Sequence, residues 1–527
     1  MNVFELIKNG YSIAYRYGLD DVAKEVGGGK DRVDFEVLCA QKIVAAMAER
    51  EVETPITVDI CGKEELVLVG KTNEKETAEF LGSLAYNEYG YALIGKRLVV
   101  TGWNDTTTEL AVDEVIRHIT EGADVPERCV CAFDGWYVDF PEPALKVGYI
   151  NDQNAGHLLA YYPDATLEDF LAYRKKLEGE GFSLYDENDI EGNVSATYTS
   201  KKGKIHTYFV PFECAIRVVT CLDGGYNLPS LEPIPTEKKG DCYMTQLGMA
   251  YKEGNFGSGY FLTLEDGSFI VVDGGGDKAE DYEKFYRAMK RLTRDEGGKI
   301  RVAAWILTHM HWDHTANFVR FCREHRDEVE LEAMYCNVAS RACVYNAYDP
   351  PLPHVHFNEI PELFPDMKKY IIHTGMKFYI RNVRVDVFYT QDDHFPEIVH
   401  YYNDTSAVVR LAIGGQTVTF LGDARYAASR VLCERYTKAL KSDIVQVSHH
   451  GFDGCTTGVY DRIDPTVCFW PTSKSHYKVM ASGSMHELYF VDTRLHYEMR
   501  VHTHIPADPT QTIKLPYAKG DEIVEEE

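Results

Sequence analysis

Three histidines and one aspartate lie within six residues of this 527-residue chain, in the sequence HMHWDH at 309–314. The apolar segment RVAAWIL (301–307) precedes them and predicts a buried strand, and the segment after them predicts a helix. The group is therefore expected on a loop at the carboxyl end of a strand, where α/β proteins place their chemistry. Imidazole and carboxylate are ligands that Zn²⁺, Mn²⁺ and Fe²⁺ favour, so the segment predicts a metal site.

The spacing of these side chains indicates two metal ions. His309 and His311 alternate, so both can approach one ion from an extended turn. Asp313 and His314 follow and can face a second ion. The alternative is a polar loop that is merely rich in histidine, and four ligand side chains packed directly after a strand disfavour it. We expect two divalent cations, with zinc preferred and manganese or iron as alternatives.

Four separate segments resemble the signature motifs of the metallo-β-lactamase superfamily, in the same order. HMHWDH fits the HxHxDH motif, FIVVDGGG (269–276) resembles the first motif, TVTFLGDA (417–424) the fourth and DIVQVSHHG (443–451) the fifth. One such segment alone would be a weak signal, because a strand that ends in Asp-Gly is a common turn pattern. The resemblance spans about residues 241–520 and implies an αββα sandwich.

The resemblance implies a role for each motif residue. Asp423 would bridge the two ions, while His309 and His311 hold the first. Asp313 and His314 would hold the second ion, completed by His449, and we also count Asp313 as catalytic. His450 would then contact the substrate or protonate the leaving group. The sequence leaves open which of His449 and His450 has which role.

The third motif departs from the family pattern. Many members have a metal-binding histidine before the strand SAVVRLAI (406–413), but here the nearest residue is Asn403, and His400 lies three residues earlier. An amide oxygen is a weaker ligand than imidazole, so we predict Asn403 as a substrate contact or weak metal ligand, with His400 as the alternative. The pattern NDTS, GDA and SHHG resembles the branch that contains the metallo-β-lactamase-like domain of bacterial DNA-uptake channel proteins.

Two further motif positions narrow the chemistry. Asp273 is predicted to accept hydrogen bonds from the glycine turn and the ligand loop and so to orient the ligands. Redox-active members carry glutamate at the position of His311, so His311 favours hydrolysis. We therefore predict a metal-dependent hydrolase of a small phosphodiester. The alternatives are a lactone, ester or thioester hydrolase, or a binding or regulatory protein that retains the fold without turnover.

Composition limits the partners. The net charge is −27, with an acidic tail, DEIVEEE (521–527), so long nucleic acid is not an expected substrate and a small molecule is. The sequence contains no run of eighteen apolar residues and no leader-like start, so we expect no membrane partner. The thirteen cysteines are scattered, and Cys129 and Cys131 are too close for a metal knuckle. Free thiols in the cytoplasm are the expectation.

The chain is expected to be an α/β protein in which two small α+β domains precede the catalytic sandwich. Alternating strand and helix patterns predict the first domain over residues 1–123 and the second over 124–235. The proline-containing run NLPSLEPIPTEKKG (227–240) predicts a linker. The metallo-β-lactamase-like catalytic domain is then predicted over 236–527.

Overall fold

The computed structural model describes the chain in eleven segments. They are residues 1–16, 35–84, 88–103, 105–132, 140–154, 157–221, 226–294, 297–339, 355–396, 399–481 and 488–526. The described residues form two compact units, one mainly from residues 1–140 and one mainly from residues 160–527. No helix within these segments is both long enough and apolar enough to span a bilayer.

The first unit is a six-stranded sheet with helices packed against it. Its strands are β1 (Ser12–Tyr15), β2 (Ile56–Val58), β3 (Leu66–Val69), β4 (Glu88–Ile94), β5 (Arg97–Gly102) and β6 (Arg128–Ala132). Its helices are α1 (Val3–Lys8), α2 (Phe35–Ala48), α3 (Lys75–Gly82) and α4 (Asp105–Glu121). The strand order is β2-β1-β3-β5-β4-β6. Ile43 and Met47 of α2 and Val115 of α4 share one core with the strands, so both helices cover the sheet.

The first unit continues past residue 123, where the sequence predicts its end. Strand β6 pairs antiparallel with β4, from Glu88 opposite Ala132 to Ala92 opposite Arg128. Only alternate residues of β6 are partly buried, so its short sequence RCVCA lacks the apolar run that would predict a buried strand. The compact unit thus includes residues beyond the predicted boundary at 123, to Phe140.

The segment that follows forms a second sheet. Its elements are β7 (Tyr149–Asn154), β8 (His157–Tyr162), α5 (Leu167–Gly179), β9 (Ser183–Ile190), β10 (Asn193–Ser200), β11 (Gly203–Val210) and β12 (Ala215–Cys221). The strand order is β7-β8-β12-β11-β10-β9, and β9 to β12 form an antiparallel meander. Helix α5 begins at a capping box, because Thr166 and Asp169 exchange side-chain-to-backbone hydrogen bonds. Most of this sheet lies in the same compact unit as the C-terminal region.

The C-terminal region contains two large sheets. The larger is ordered β19-β18-β16-β15-β14-β13-β27-β28, with β17 beside β16, and the smaller is ordered β20-β21-β22-β23-β24-β25-β26. The strands of the larger sheet are β13 (Cys242–Gln246), β14 (Gly259–Thr263), β15 (Phe269–Asp273), β16 (Ile300–Ile306), β17 (Val329–Leu331), β18 (Ala333–Cys336), β19 (Lys368–Ile371), β27 (Thr510–Leu515) and β28 (Ile523–Glu526). Those of the smaller are β20 (Lys377–Ile380), β21 (Val383–Tyr389), β22 (Val408–Ile413), β23 (Gln416–Phe420), β24 (Ile444–Gln446), β25 (Val467–Trp470) and β26 (Thr503–Pro506).

Helices cover the outer faces of these two sheets. They are α6 (Asp281–Leu292), α7 (Trp312–Glu324), α8 (Val355–Leu363), α9 (Tyr426–Arg435), α10 (Thr457–Ile463), α11 (Lys474–Ala481) and α12 (Leu488–Thr493). Side chains alternate between the two faces of each strand. In β25, Phe469 joins the core between the sheets, whereas Trp470 joins a second core with Leu432 of α9. In β16, Trp305 contacts Phe318 of α7. The region is therefore an αββα sandwich.

A buried ionic network joins the second sheet to the sandwich. Arg435 at the end of α9 lies 2.5 Å from an oxygen of Asp393 and 2.5 Å from an oxygen of Glu213. Arg217 of β12 lies 2.6 Å from the other oxygen of Glu213. Tyr208 donates a 2.9 Å hydrogen bond to Asp393. Because charges removed from water are costly unless paired, each member of the network depends on the others.

We predict that Arg435→Met destabilises the protein by about 3–5 kcal/mol, because it leaves Asp393 as a buried carboxylate without this guanidinium. Urea denaturation followed by circular dichroism measures the change. Arg494→Met is the matched control, because Arg494 pairs with Asp461 at the surface, and its unfolding midpoint should hardly move. Equal effects of the two substitutions would contradict the role of the network.

Candidate metal centre

The predicted ligands lie on loops at one edge of the sandwich, each following a strand. β15 ends at Asp273, β16 leads into the segment 309–314, β23 leads to Asp423, and β24 leads to His449 and His450. β15 and β16 are parallel neighbours in one sheet, and β23 and β24 are parallel neighbours in the other. The carboxyl ends of parallel strands share one edge, so the topology brings these loops together.

Four buried side chains form the centre of the site. The potential ligand atoms of Asp313, His314, Asp423 and His450 all lie within 4.8 Å of one another. His314 Nε2 is 3.1 Å from Asp423 Oδ2, and His450 Nε2 is 3.3 Å from the same oxygen. His450 Nε2 is also 3.0 Å from Asp313 Oδ2. Two carboxylates and two imidazoles thus converge on one point.

A second group of ligand side chains adjoins this centre. His309 Nε2 lies 3.0 Å from His311 Nδ1, and the ring of His309 is 4.2 Å from that of His314. Asn403 is buried, and its Nδ2 lies 3.2 Å from Nε2 of His449. That Nε2 is 4.0 Å from Asp423 Oδ2, so His449 lies beside the central group. His400, the alternative to Asn403, is exposed.

The chain contains a metallo-β-lactamase domain. Residues 253–454 match the model of the family described as the metallo-beta-lactamase superfamily. Comparison with curated proteins gives no match. The two sheets of the sandwich extend beyond the matched residues, from Cys242 to Glu526.

Solved structures similar to this chain include metallo-β-lactamase-fold proteins. YhfI from Bacillus subtilis is 11% identical, with 52% of this chain and 100% of that chain covered and a TM-score of 0.32. Zn(2+)-bound PqqB from Methylobacterium extorquens is 12% identical, with 39% and 72% covered and a TM-score of 0.26. The short form of human tRNase Z is 13% identical, with 43% and 91% covered and a TM-score of 0.28. At these identities and TM-scores, the three structures indicate neither the substrate nor the metal of this domain.

The geometry places His449 and His450 in the reverse of their predicted order. The sequence assigns His449 to the metal and His450 to the substrate, but Nε2 of His450 faces Asp313 and Asp423. His449 instead turns toward Asn403. Both histidines have positive φ, 49° and 55°, so neither follows the alternation of the preceding strand. Which of the two histidines binds metal stays a prediction, and the turn that brings His450 to the carboxylates is one that the sequence pattern does not reveal.

The donor set of the centre fits a cation. Asp423 Oδ1 and Asn403 Oδ1 are buried and accept no hydrogen bond from any part of the chain that the structure describes. Burial opposes a charge on His450, but Asp423 and Asp313 outweigh burial and raise the pKa of His450 to about 10. The carboxylates thus create a strongly negative point inside the protein. A divalent ion would meet both demands, because it binds the free oxygens and balances the charge.

The carboxylate of Asp273 orients the ligand loop. It accepts hydrogen bonds from the Thr308 amide (2.9 Å) and hydroxyl, and lies 2.8 Å from His314 Nδ1. This contact directs Nε2 of His314 toward Asp423. Gly422 lies against the same threonine at a φ of 54°, and a Cβ there would come within 2.7 Å of its Oγ1. Glycine is therefore required directly before Asp423.

Two side chains outside the motifs support His449. Its Nδ1 lies 2.8 Å from Oδ1 of Asp453, and Arg425 pairs with the other oxygen of Asp453. The guanidinium of Arg425 lies 3.8 Å from the ring centre of Tyr401. Sequence reasoning missed this chain of contacts because Asp453 and Arg425 belong to no signature. The one available signal was Asp453, four residues after His449.

A cavity of about 590 Å³ opens beside His450. Its wall is formed by Tyr251, Lys252, Phe256, His450, Phe452, Pro471, Thr472, Ser473, Ser475 and His476. Phe256 and Phe452 are 43% and 37% exposed, which is unusual for side chains of their size. The Nζ of Lys278 lies 5.4 Å from the ring centre of Phe256. The cavity therefore offers aromatic faces and a nearby positive charge next to the ligands.

We predict that His450→Ala weakens metal binding by roughly 100-fold or more, because it removes the imidazole that faces both central carboxylates. His449→Ala should leave metal content unchanged. Elemental analysis of both purified variants after dialysis against a weak chelator makes the comparison. Loss of metal in His449→Ala alone would support the order that the sequence predicts.

Proposed function

We propose that the metallo-β-lactamase domain is a metal-dependent hydrolase of a small phosphodiester. The observation that carries this proposal is the buried group of Asp313, His314, Asp423 and His450, which lies beside a cavity large enough for a small molecule. Asp313, His314 and His450 would hold one divalent ion. A bound pair of ions would supply a water of lowered pKa and stabilise negative charge on the substrate.

The second ion would be held by the other group. His309 and His311 supply two imidazoles, and Asn403 supplies an amide oxygen where many family members have a third imidazole. Asp423 would complete both sets. An amide oxygen is a weaker donor to zinc than imidazole, so this ion would be held less tightly than the one beside His450.

His449 lies outside the central cluster of Asp313, His314, Asp423 and His450, so we assign it a role other than metal binding. Asp453 fixes one nitrogen of its ring, so the other faces the region between Asn403 and Asp423. We propose that this nitrogen contacts the leaving-group oxygen of the substrate. Arg425, by pairing with Asp453, keeps the ring in this orientation.

The substrate class rests on charge and on resemblance. Lys278, whose Nζ lies over the rings of Phe256 and Trp312, brings positive charge to the cavity, which suits a phosphodiester better than a neutral ester. The NDTS, GDA and SHHG pattern resembles a branch of the family associated with phosphodiester cleavage. The net charge of −27 would repel a long polyanion, so the substrate is small. A lactone, ester or thioester hydrolase using the same ligands is the second candidate.

We predict that the full-length protein loaded with Zn²⁺ or Mn²⁺ cleaves bis-p-nitrophenyl phosphate and that Asp423→Asn lowers kcat/KM by at least about 100-fold. Asp461→Asn, at an exposed position where the carboxylate pairs with Arg494, should retain full activity. His449→Ala should lower kcat by about 100-fold with metal retained.

Robust cleavage of p-nitrophenyl acetate or of a lactone, with no phosphodiester turnover, would favour the second candidate. If the metal-loaded protein cleaves none of these substrates, the result would favour a binding or regulatory protein that retains the fold without turnover.

The aromatic cavity predicts a preference for diesters with a second aryl group. Phe256→Ala should raise KM for bis-p-nitrophenyl phosphate by about 2–10-fold, because one ring contact contributes about 0.5–1.5 kcal/mol. The KM for methyl p-nitrophenyl phosphate should change little, since its methyl group cannot stack. Both substrates release p-nitrophenol, so one absorbance assay compares them. An equal change for both would show that Phe256 does not contact the second group.

A further inference from the structure

A cluster of two thiols and one carboxylate lies in the first unit, apart from every motif of the hydrolase. Cys129 and Cys131 are two residues apart on β6, so both side chains project from the same face of the strand. Their sulfur atoms are 3.9 Å apart. Glu114 of α4 places a carboxylate oxygen within 4.8 Å of both sulfurs. All three residues are partly exposed, so the cluster is open to solvent.

We propose that Glu114, Cys129 and Cys131 bind a thiophilic divalent cation of the zinc class. The sequence alone argues against this, because a C-x-C spacing is too short for a zinc knuckle on a turn. An extended strand removes that objection, since residues two apart share a face. The distance between the sulfurs also fits, because tetrahedral coordination with zinc–sulfur bonds of about 2.3 Å separates two thiolates by about 3.8 Å.

A bound cation would offset much of the charge of the cluster. Two thiolates and the Glu114 carboxylate would carry three negative charges, and a divalent cation offsets two of them. Arg117, one turn further along α4, lies 2.5 Å from Glu114 Oε1 and 2.7 Å from Glu121 Oε2, so two carboxylates share its positive charge. A divalent cation therefore lowers the cost of holding the deprotonated cluster at a partly buried position.

A buried histidine supports the carboxylate of the cluster. His118 Nε2 lies 3.1 Å from Glu114 Oε1 and so orients the carboxylate. With three protein ligands the fourth position is open, so the cation would exchange with solvent rather than act as a closed structural zinc.

The test uses the full-length protein, stripped of metal and titrated with Co²⁺ under a phosphine reductant. A thiolate bound to Co²⁺ gives a near-ultraviolet charge-transfer band, whereas the ligands of the metallo-β-lactamase centre contain no sulfur. We expect this band in the native protein and its loss in the Cys129→Ser/Cys131→Ser double variant, together with the loss of one equivalent of bound metal. The control is Cys61→Ser/Cys214→Ser, which changes two exposed cysteines and should keep the band.

Glu114→Gln provides a second variant that keeps both thiols. It should retain the band but require about tenfold more Co²⁺ or higher to reach half-saturation. Thermal unfolding of each variant verifies the fold, and a misfolded double variant leaves the Glu114→Gln titration to decide. The proposal is overturned if the native protein shows no thiolate band, if the band persists without Cys129 and Cys131, or if Glu114→Gln binds as tightly as the native protein. It is equally overturned if thiol counting shows that the two cysteines form a disulfide that resists the reductant.

Discussion

The concentration of negative charge at one edge of the sandwich is the constraint on which the rest of the site depends. Asp273, Asp313 and Asp423 are all held close to the single imidazole of His314. Carboxylates this close repel one another, and removal from water strengthens the repulsion. His314 compensates for part of this charge, since Asp423 and Asp273 outweigh its burial and hold its pKa well above the usual range. A bound cation would offset the remaining charge, so metal binding would stabilise this edge of the sandwich.

The backbone around the ligands adopts unusual conformations that bring their side chains together. Asp273, His449 and His450 all have positive φ, a conformation that costs a residue other than glycine about 1–3 kcal/mol. Each lies directly at or after the end of a strand, where the neighbouring strands of a fully buried sheet hold the chain in place. The core between the sheets thus stabilises turns that would not persist alone. A regular strand would direct these side chains to opposite faces, whereas the turns direct them toward the cluster.

The sequence predicts the ligands more completely than it predicts their directions. The strand-then-ligand pattern was sufficient to bring Asp313, His314 and Asp423 to one place, because the ends of parallel strands share an edge. It could not distinguish His449 from His450, because both lie in a left-handed turn, where side-chain directions do not alternate regularly. It also missed Asp453, which acts through space on His449 and carries no motif. The difference between the predicted boundary at 123 and the extent of the first unit has a similar cause, since β6 is defined by pairing with a distant strand rather than by its own apolar pattern.

Ligand chemistry separates the two metal sites that we propose for this chain. The metallo-β-lactamase centre offers imidazole, carboxylate and amide donors, which suit several borderline cations and favour an activated water. The Glu114 cluster offers two thiolates, which favour softer cations and disfavour manganese. A shortage of zinc would therefore affect the two sites differently, because the C-terminal centre can take a harder ion while the thiolate site cannot. Loss of thiophilic metal would then empty the Glu114 cluster and leave the C-terminal centre able to bind a harder ion.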